Sequence, residues 1–221
     1  MLLAAGRGER LRPITDTLPK PLVEIAGKPL IVYHLEALAR AEVTEVVINL
    51  SWLGSQIRAA LGDGSRYGVR ITYSEEGPVP LETGGGIHRA LPLLGPRPFL
   101  LVNADVWTDM DFSLLTLEEG ADARLMLAPN PPHHARGDFG LEGDFVVERA
   151  ADRFTYTGIG VYRPELFAGC APGKFPLLPL LQRALAARRL RGEVYGGEWL
   201  DIGSPDRLAW LDARERAARG I

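Results

Sequence analysis

The residues whose types and spacing most directly suggest chemistry are two glycines and a group of basic residues near the start of the chain. Gly6-Arg7-Gly8-Glu9-Arg10-Leu11-Arg12-Pro13 is followed by Pro19-Lys20-Pro21. Glycines have no Cβ, so backbone N–H groups in such a loop can approach a phosphate closely. Arginine and lysine then neutralise the several negative charges of a polyphosphate. We therefore expect this loop to hold a triphosphate.

Lys20 is one of only three lysines in the chain, with Lys28 and Lys174, so it does not look like an ordinary surface charge. Prolines on both sides restrict its backbone, which favours a fixed role over a freely solvated one. The loop is not a Walker A sequence, because no Gly-Lys-Ser/Thr follows, and Leu11 stands where a dinucleotide fingerprint needs its third glycine. The simpler alternative is a solvated turn that happens to contain two glycines.

The rest of the chain must supply elements that position this loop. Short apolar runs alternate with segments of helical period, which predicts βα units in an α/β fold with a mostly parallel sheet. The predicted strands cover 2–5, 45–50, 69–73, 98–103, 123–128 and 154–161, and the predicted helices cover 30–41, 52–61, 177–190 and 204–219. The carboxyl ends of such strands meet at one crevice, where we expect the chemistry.

Two aspartates follow predicted strands and could enter that crevice. Asp105 comes after the run 98–103, and Asp201 comes after Glu198-Trp199-Leu200. Mg²⁺ binds oxygen ligands and commonly bridges one or two carboxylates to substrate phosphates, so two aspartates are a sufficient protein contribution. Asp105 taken alone would be interpreted as a turn residue at a strand end. The neighbouring basic loop favours metal binding for Asp105.

Composition sets the outer limits. The 221 residues are 46% hydrophobic and 24% charged with a net charge of −3, the profile of an ordinary globular protein. The charge argues against nucleic acid or anionic membrane as partner, and no apolar run approaches the ~20 residues of a membrane span. The lone Cys170 cannot form an internal disulfide. We expect a cytoplasmic protein that binds small molecules. We also expect a monomer, although the sequence does not fix the oligomeric state.

Taken together, these motifs resemble those of the sugar-1-phosphate nucleotidyltransferases. The family signature G-x-G-x-R-L-x-P-x-T, followed by P-K-P, is matched by residues 6–15 and 19–21. The likeness continues through 48–54, 81–87, 103–109, 133–139 and 199–203, so it covers nearly the whole chain. It implies a Rossmann-like three-layer α/β sandwich with a mostly parallel central sheet and a small β-rich lid. We expect a single nucleotidyltransferase domain over 1–221, with 129–160 as a sugar-binding, lid-like subregion.

The reaction implied by the resemblance is transfer of UMP from UTP to a sugar 1-phosphate, with Mg²⁺ as cofactor and pyrophosphate as product. The sugar phosphate is itself the nucleophile, so no nucleophilic side chain is needed. Within the family, the likeness favours N-acetylmuramate α-1-phosphate as substrate and UDP-N-acetylmuramate, made in peptidoglycan recycling, as product.

The resemblance also implies roles for individual residues. The catalytic residues are Arg10 and Lys20; the nucleotide-binding residues are Ala4, Ala5, Gly6, Arg7, Gly8, Glu82, Thr83, Gly84 and Asn103; the sugar-binding residues are Gly140, Tyr156, Thr157 and Gly158; and the metal ligands are Asp105 and Asp201. To the sugar site we add Arg136, whose guanidinium could pair with the lactyl carboxylate of N-acetylmuramate. A solvated loop arginine is the alternative.

Other readings of the sequence remain open at this stage. The sugar could be glucose, mannose or N-acetylglucosamine 1-phosphate, and the nucleotide UTP, dTTP or GTP, because the phosphate and metal apparatus would be the same. A catalytically silent nucleotide-binding subunit is the alternative from another class. The glycines after Glu82 could simply be a weakened helix start, although three in a row cost roughly 1 kcal/mol each relative to alanine. Ala104 departs from the glycine that many relatives carry, and its methyl could crowd a ribose.

Overall fold

A computed structural model describes all 221 residues, Met1 to Ile221. None of its helices is long and apolar enough to cross a bilayer. The helices are α1 (Ile14–Thr17), α2 (Leu30–Arg40), α3 (Gly54–Leu61), α4 (Glu82–Leu94), α5 (Leu178–Ala186) and α6 (Pro205–Arg219). The strands are β1 (Leu2–Leu3), β2 (Glu24–Ile25), β3 (Lys28–Pro29), β4 (Glu45–Leu50), β5 (Arg70–Glu75), β6 (Phe99–Asn103), β7 (Val106–Thr108), β8 (Ala123–Ala128), β9 (Phe139–Glu142), β10 (Phe145–Val147), β11 (Arg153–Tyr162), β12 (Leu190–Val194) and β13 (Trp199–Asp201).

The chain divides into two compact units, each built from separate stretches of sequence. The N-terminal unit comprises Leu2–Pro80, Asn103–Ser113 and Leu200–Ile221. The central unit comprises Met1, Leu81–Val102 and Leu114–Trp199. The lid-like subregion 129–160 belongs to the central unit, while the single domain over 1–221 stays a prediction.

Parallel strands form the sheet of the N-terminal unit. β1 pairs with β4, and β4 pairs with β5, both in parallel. Five of the six β4 residues are buried, which is typical of a parallel strand covered on both faces. The predicted βα pattern is therefore confirmed in this unit.

Helix α2 follows Pro29 and buries one side, including Leu30, Leu35 and Leu38. Ser204 caps α6, because its hydroxyl accepts the Arg207 N–H. These helices and the short strands between them enclose an apolar cluster of Leu11, Ile25, Leu30, Trp107, Ile202 and Leu211. Each such side chain contributes roughly 1.5–3 kcal/mol when fully buried.

The central unit departs from the mostly parallel sheet that the sequence predicted. β11 runs antiparallel to both β6 and β8, and only β12 lies parallel to β8. β9 and β10 form an antiparallel hairpin, and β9 also pairs with β11. Neighbouring strands joined by short turns pair antiparallel, whereas parallel neighbours need a long crossover. The α/β class is confirmed, and the sheet is mixed.

His34 is a titratable residue inside the N-terminal unit. It lies on α2 with 2% of its surface exposed, and its Nε2 lies 2.8 Å from the Val106 carbonyl oxygen. A carbonyl only accepts, so this nitrogen carries the proton. Burial disfavours the imidazolium and lowers the pKa of His34 from its ordinary 6.5 to about 4.

We expect His34 to make stability fall as the pH drops from about 6.5 to about 4. The unfolded chain binds a proton at His34 in this window and the folded chain does not, so acid favours unfolding. Between pH 7 and pH 5 the loss should be about 2 kcal/mol. Urea unfolding of the wild type and of His34→Gln at both pH values measures it. An equal pH response of the two proteins would contradict this assignment.

Candidate active site

The glycine loop follows directly from the end of β1. Gly8 has a φ of +68°, and a Cβ added there would lie 3.0 Å from Thr15 Cγ2 and 3.1 Å from Lys20 Cβ. The Thr15 hydroxyl donates to the Gly8 carbonyl oxygen at 2.8 Å. Gly8 is thus required both by its left-handed backbone and by the close approach of the segment that carries Lys20.

Lys20 and Asp105, predicted separately as catalytic residue and metal ligand, contact each other. Lys20 Nζ lies 2.5 Å from Asp105 Oδ2. Only 8% of the Lys20 side chain is exposed, against 39% of the Asp105 side chain. A buried ammonium is costly without a paired, hydrogen-bonded carboxylate, so this contact holds Lys20 in place. The predicted importance of Pro19-Lys20-Pro21 has a structural basis.

Asp201 is brought beside Asp105 through the backbone. The Ile202 N–H donates to the Asp105 carbonyl oxygen at 3.0 Å, and β13 pairs with β7, the strand that follows Asp105. The Asp201 carboxylate forms an ion pair with Arg207. The two predicted metal ligands therefore lie on adjacent backbone segments, each paired with a cation.

Arg10 joins the same cluster at Gly203. A Cβ added to Gly203 would lie 3.0 Å from Arg10 Nη1 and 3.0 Å from Asp201 Oδ2. Gly203 therefore leaves room for a guanidinium beside a carboxylate. Arg10, Lys20, Asp105 and Asp201 form one charged cluster in the N-terminal unit, as the sequence predicted.

The predicted nucleotide-binding residues of this unit line the start of the same loop. Ala4 and Ala5 are buried, whereas Gly6 and Arg7 are exposed. The Arg7 guanidinium lies over the Trp52 ring, 4.5 Å from its centroid, in a cation–π contact. Small buried residues and an anchored arginine give the loop a defined course.

Asn103 and Ala104 lead into Asp105. Asn103 ends β6 and is half-buried, and Ala104 is fully buried. The Ala104 N–H donates to the Leu3 carbonyl oxygen at 3.0 Å. The extra methyl of Ala104 is thus accommodated in the interior.

Glu82, Thr83 and Gly84 begin α4 in the central unit. Glu82 has a φ of +60° and an exposed side chain that lies 3.5 Å from Lys174 Nζ. A Cβ added to Gly84 would lie 2.6 Å from the Phe175 ring. Close packing against 173–176 therefore requires the glycine here, and contact with a base stays a prediction for this segment.

The predicted sugar-binding residues of the central unit differ in what their side chains do. The Tyr156 hydroxyl lies 2.6 Å from the Tyr162 hydroxyl, and the buried Thr157 hydroxyl donates to the Met126 carbonyl oxygen. Gly158, with a φ of +77°, lies in an irregular stretch of β11. Gly140 is buried between β10 and β11, and Arg136 has an exposed side chain. The sugar site remains a prediction.

Three residues in or near the cluster were missed by the sequence analysis. Arg207 pairs with Asp201, and Asn49 and Glu76 are buried polar residues whose hydrogen bonds reach Ala4. Asn49 carried a signal, because it is a polar residue at the end of an apolar strand. Arg207 gave no signal beyond its position after the Ser204-Pro205 helix start.

The cluster suits a cation that takes most of its ligands from a substrate. The structure shows no group of three or more His, Cys, Asp or Glu residues arranged to hold a metal. Asp105 and Asp201 supply two carboxylates, which fits Mg²⁺ completed by phosphate oxygens and water.

Comparison with known proteins decides the family. Residues 1–141 match the model of the nucleotidyl transferase family. The chain belongs to this family. It is 51% identical, over 94% of both chains, to N-acetylmuramate alpha-1-phosphate uridylyltransferase of Neisseria meningitidis serogroup B. It is 36% identical to the protein of that name from Caulobacter vibrioides, over 97% of this chain and 95% of the other. The chain is therefore an enzyme, a nucleotidyltransferase.

Solved structures confirm the fold of this nucleotidyltransferase. A Bacillus anthracis protein crystallised with sucrose superposes with a TM-score of 0.83, covering 97% of this chain and 94% of that one at 20% identity. HddC of Yersinia pseudotuberculosis superposes with a TM-score of 0.77, covering 97% of each chain at 20% identity. At these identities the likeness shows the fold alone.

Substitution of Gly85 should measure the packing of the glycine run. Its N–H donates to the Phe175 carbonyl oxygen at 3.0 Å, and an added Cβ would collide with the Gly173 carbonyl oxygen. We expect Gly85→Ala to lower the free energy of unfolding by about 1–3 kcal/mol, measured by urea unfolding. The matched control is Gly196→Ala, whose methyl meets no atom within 4 Å. Equal stability of the two variants would contradict the packing role.

Proposed function

We propose that this nucleotidyltransferase transfers UMP from UTP to N-acetylmuramate α-1-phosphate, releasing pyrophosphate and forming UDP-N-acetylmuramate for peptidoglycan recycling. The substrates are those named by the relatives at 51% and 36% identity, each of which matches over nearly its whole length. The observation that carries the proposal is the buried Lys20, which pairs with Asp105 next to Asp201 and Arg10.

The chemistry requires positioning and charge neutralisation rather than a nucleophilic side chain. A sugar phosphate oxygen attacks the α-phosphorus of UTP in line, and pyrophosphate leaves. Arg10, Lys20 and Arg207 are the cations of the cluster, and the open glycine loop offers backbone N–H groups to phosphate. These groups bind the triphosphate and stabilise the negative charge that builds up as the two anions approach.

The two aspartates would hold Mg²⁺ in this reaction. When bound, the ion supplies positive charge to the phosphate oxygens of the triphosphate. Lys20 and Arg207 now neutralise Asp105 and Asp201. With both carboxylates turned to the cation, Lys20 and Arg207 would be available to phosphate oxygens. The two ion pairs thus neutralise both carboxylates before substrate arrives.

We expect the purified chain, supplied with Mg²⁺ and UTP, to release pyrophosphate with N-acetylmuramate α-1-phosphate in preference to the 1-phosphates of N-acetylglucosamine, glucose and mannose. Asp105→Asn should reduce kcat/KM on the order of 100-fold or more, because it removes the carboxylate that pairs with Lys20 and would bind Mg²⁺. Coupled pyrophosphate detection, with GTP and dTTP as alternative nucleotides, measures both.

The matched control is Asp111→Asn, because Asp111 is exposed and its side chain bonds only locally to Ser113. It should retain wild-type turnover. Faster turnover of another sugar or nucleotide would refute the proposed substrates and keep the cluster's role. Absence of turnover with every pair, despite bound UTP, would favour a silent nucleotide-binding protein.

Arg136→Ala should test the proposed recognition of the lactyl carboxylate. Loss of a charge-assisted hydrogen bond should raise KM for N-acetylmuramate α-1-phosphate roughly tenfold. KM for UTP should not change, and residual turnover of N-acetylglucosamine 1-phosphate should not change either, because that sugar lacks the carboxylate. Arg97→Ala, at another exposed arginine, is the control. A parallel rise in KM for both sugars would rule this contact out.

A further inference from the structure

Two buried polar side chains near the glycine loop have no part in the proposed chemistry. Asn49 is 3% exposed and Glu76 is 8% exposed. Asn49 lies near the end of β4, and Glu76 directly follows β5 and donates its N–H to the Leu50 carbonyl oxygen. Removing a carboxylate and an amide from water costs free energy, which their hydrogen bonds must offset.

The donor and the acceptor of each of these hydrogen bonds can be assigned. Asn49 Oδ1 accepts the Ala4 N–H at 2.7 Å, and Asn49 Nδ2 donates to Glu76 Oε1 at 2.6 Å. The Ala4 N–H can only donate, so the Asn49 oxygen must face it and the amide nitrogen must face Glu76. Position 76 therefore needs an acceptor.

The peptide bond between Leu3 and Ala4 is held from its other side as well. Its carbonyl oxygen accepts the Ala104 N–H at 3.0 Å, and Ala104 immediately precedes Asp105. One peptide group thus connects Asn49 to the backbone that carries Asp105. Gly6 and Gly8 follow this peptide within a few residues.

We propose that Glu76 and Asn49 are positioning residues for nucleotide binding. Glu76 orients the Asn49 amide, and Asn49 fixes the Leu3–Ala4 peptide. The glycine loop thereby starts at a defined place relative to Asp105. We call the hydrogen bonds from Glu76 to Asn49 and from Asn49 to Ala4 the relay. This inference rests on the proposed function, because it assigns the relay to binding of the triphosphate substrate.

Exchange of the two functional groups provides the test. In Asn49→Asp, a carboxylate oxygen would face the Glu76 carboxylate with no hydrogen between them, so the relay should break. In Glu76→Gln, the new amide oxygen can still accept from Asn49. In the double variant, the carboxylate introduced at position 49 accepts both from the Ala4 N–H and from the amide introduced at position 76. Both of these hydrogen bonds are then restored, with the polarity of the second reversed and the net charge unchanged.

We expect Asn49→Asp to raise KM for UTP roughly tenfold or more, with a smaller change in kcat at saturating UTP. In Glu76→Gln and in the double variant, KM for UTP should stay within about threefold of the wild-type value, because both variants keep a hydrogen bond between positions 49 and 76. Glu75→Gln, at an exposed neighbour, is the matched control. Recovery by a second substitution at the partner is not expected from a mere packing role.

Hydrogen exchange of the peptide that contains Ala4 gives a readout independent of turnover. Exchange at this segment should be faster in Asn49→Asp and return to the wild-type rate in the double variant. If the wild type turns over no substrate but this exchange pattern is found, the proposed function fails and the relay stands.

Two results would overturn the relay itself. One is a double variant as impaired as Asn49→Asp, in KM and in exchange. The other is an unchanged KM for UTP in a folded Asn49→Asp protein. If Asn49→Asp alone is insoluble, a folded double variant with wild-type KM supports the relay, and an insoluble double variant refutes it.

Discussion

The arrangement of the N-terminal unit depends on the pairing of a buried ammonium with a partly exposed carboxylate. Lys20 has little contact with water, so its ammonium needs an anionic partner, and Asp105 supplies it in this structure. The requirement places the Pro19-Lys20-Pro21 turn against the segment that carries Asp105. It also bears on the glycine at position 8, since a Cβ there would crowd Thr15 and Lys20. The geometry of the loop follows from one electrostatic demand.

A second set of constraints acts on the backbone where the strands end. Asp105 and Asp201 belong to segments joined by a main-chain hydrogen bond, and the Leu3–Ala4 peptide is held on one side by Asn49 and on the other by Ala104. Such bonds leave little freedom to the chain that carries the charged side chains. Backbone donors fixed in this way need no reorganisation when an anion binds, and such preorganisation makes electrostatic stabilisation effective.

Much of the fold and part of the site could be predicted from local pattern. The strand 45–50 was predicted with its observed bounds, because its run is short and rich in the β-branched residues that favour strands, Val46, Val47 and Ile48. Arg10 and Lys20 were predicted from a dense motif, and Asp105 and Asp201 from strand ends and the family resemblance. The structure brings all four together, and their roles stay predictions. The antiparallel course of β11 was missed, since a strand's own residues do not specify the direction of its neighbours.

By itself the sequence determined the family, the apolar elements and four of the charged residues of the cluster, Arg10, Lys20, Asp105 and Asp201, because residue type and spacing along the chain identify each of them. Only the tertiary structure decided which charges pair and which polar groups are buried. Asn49 acquires its role from Ala4 and Glu76, which lie 45 and 27 residues away. The glycines of α4 acquire theirs from the segment 173–176. Contacts between residues so distant along the chain come into being only when the chain folds, and burial then makes their hydrogen bonds obligatory.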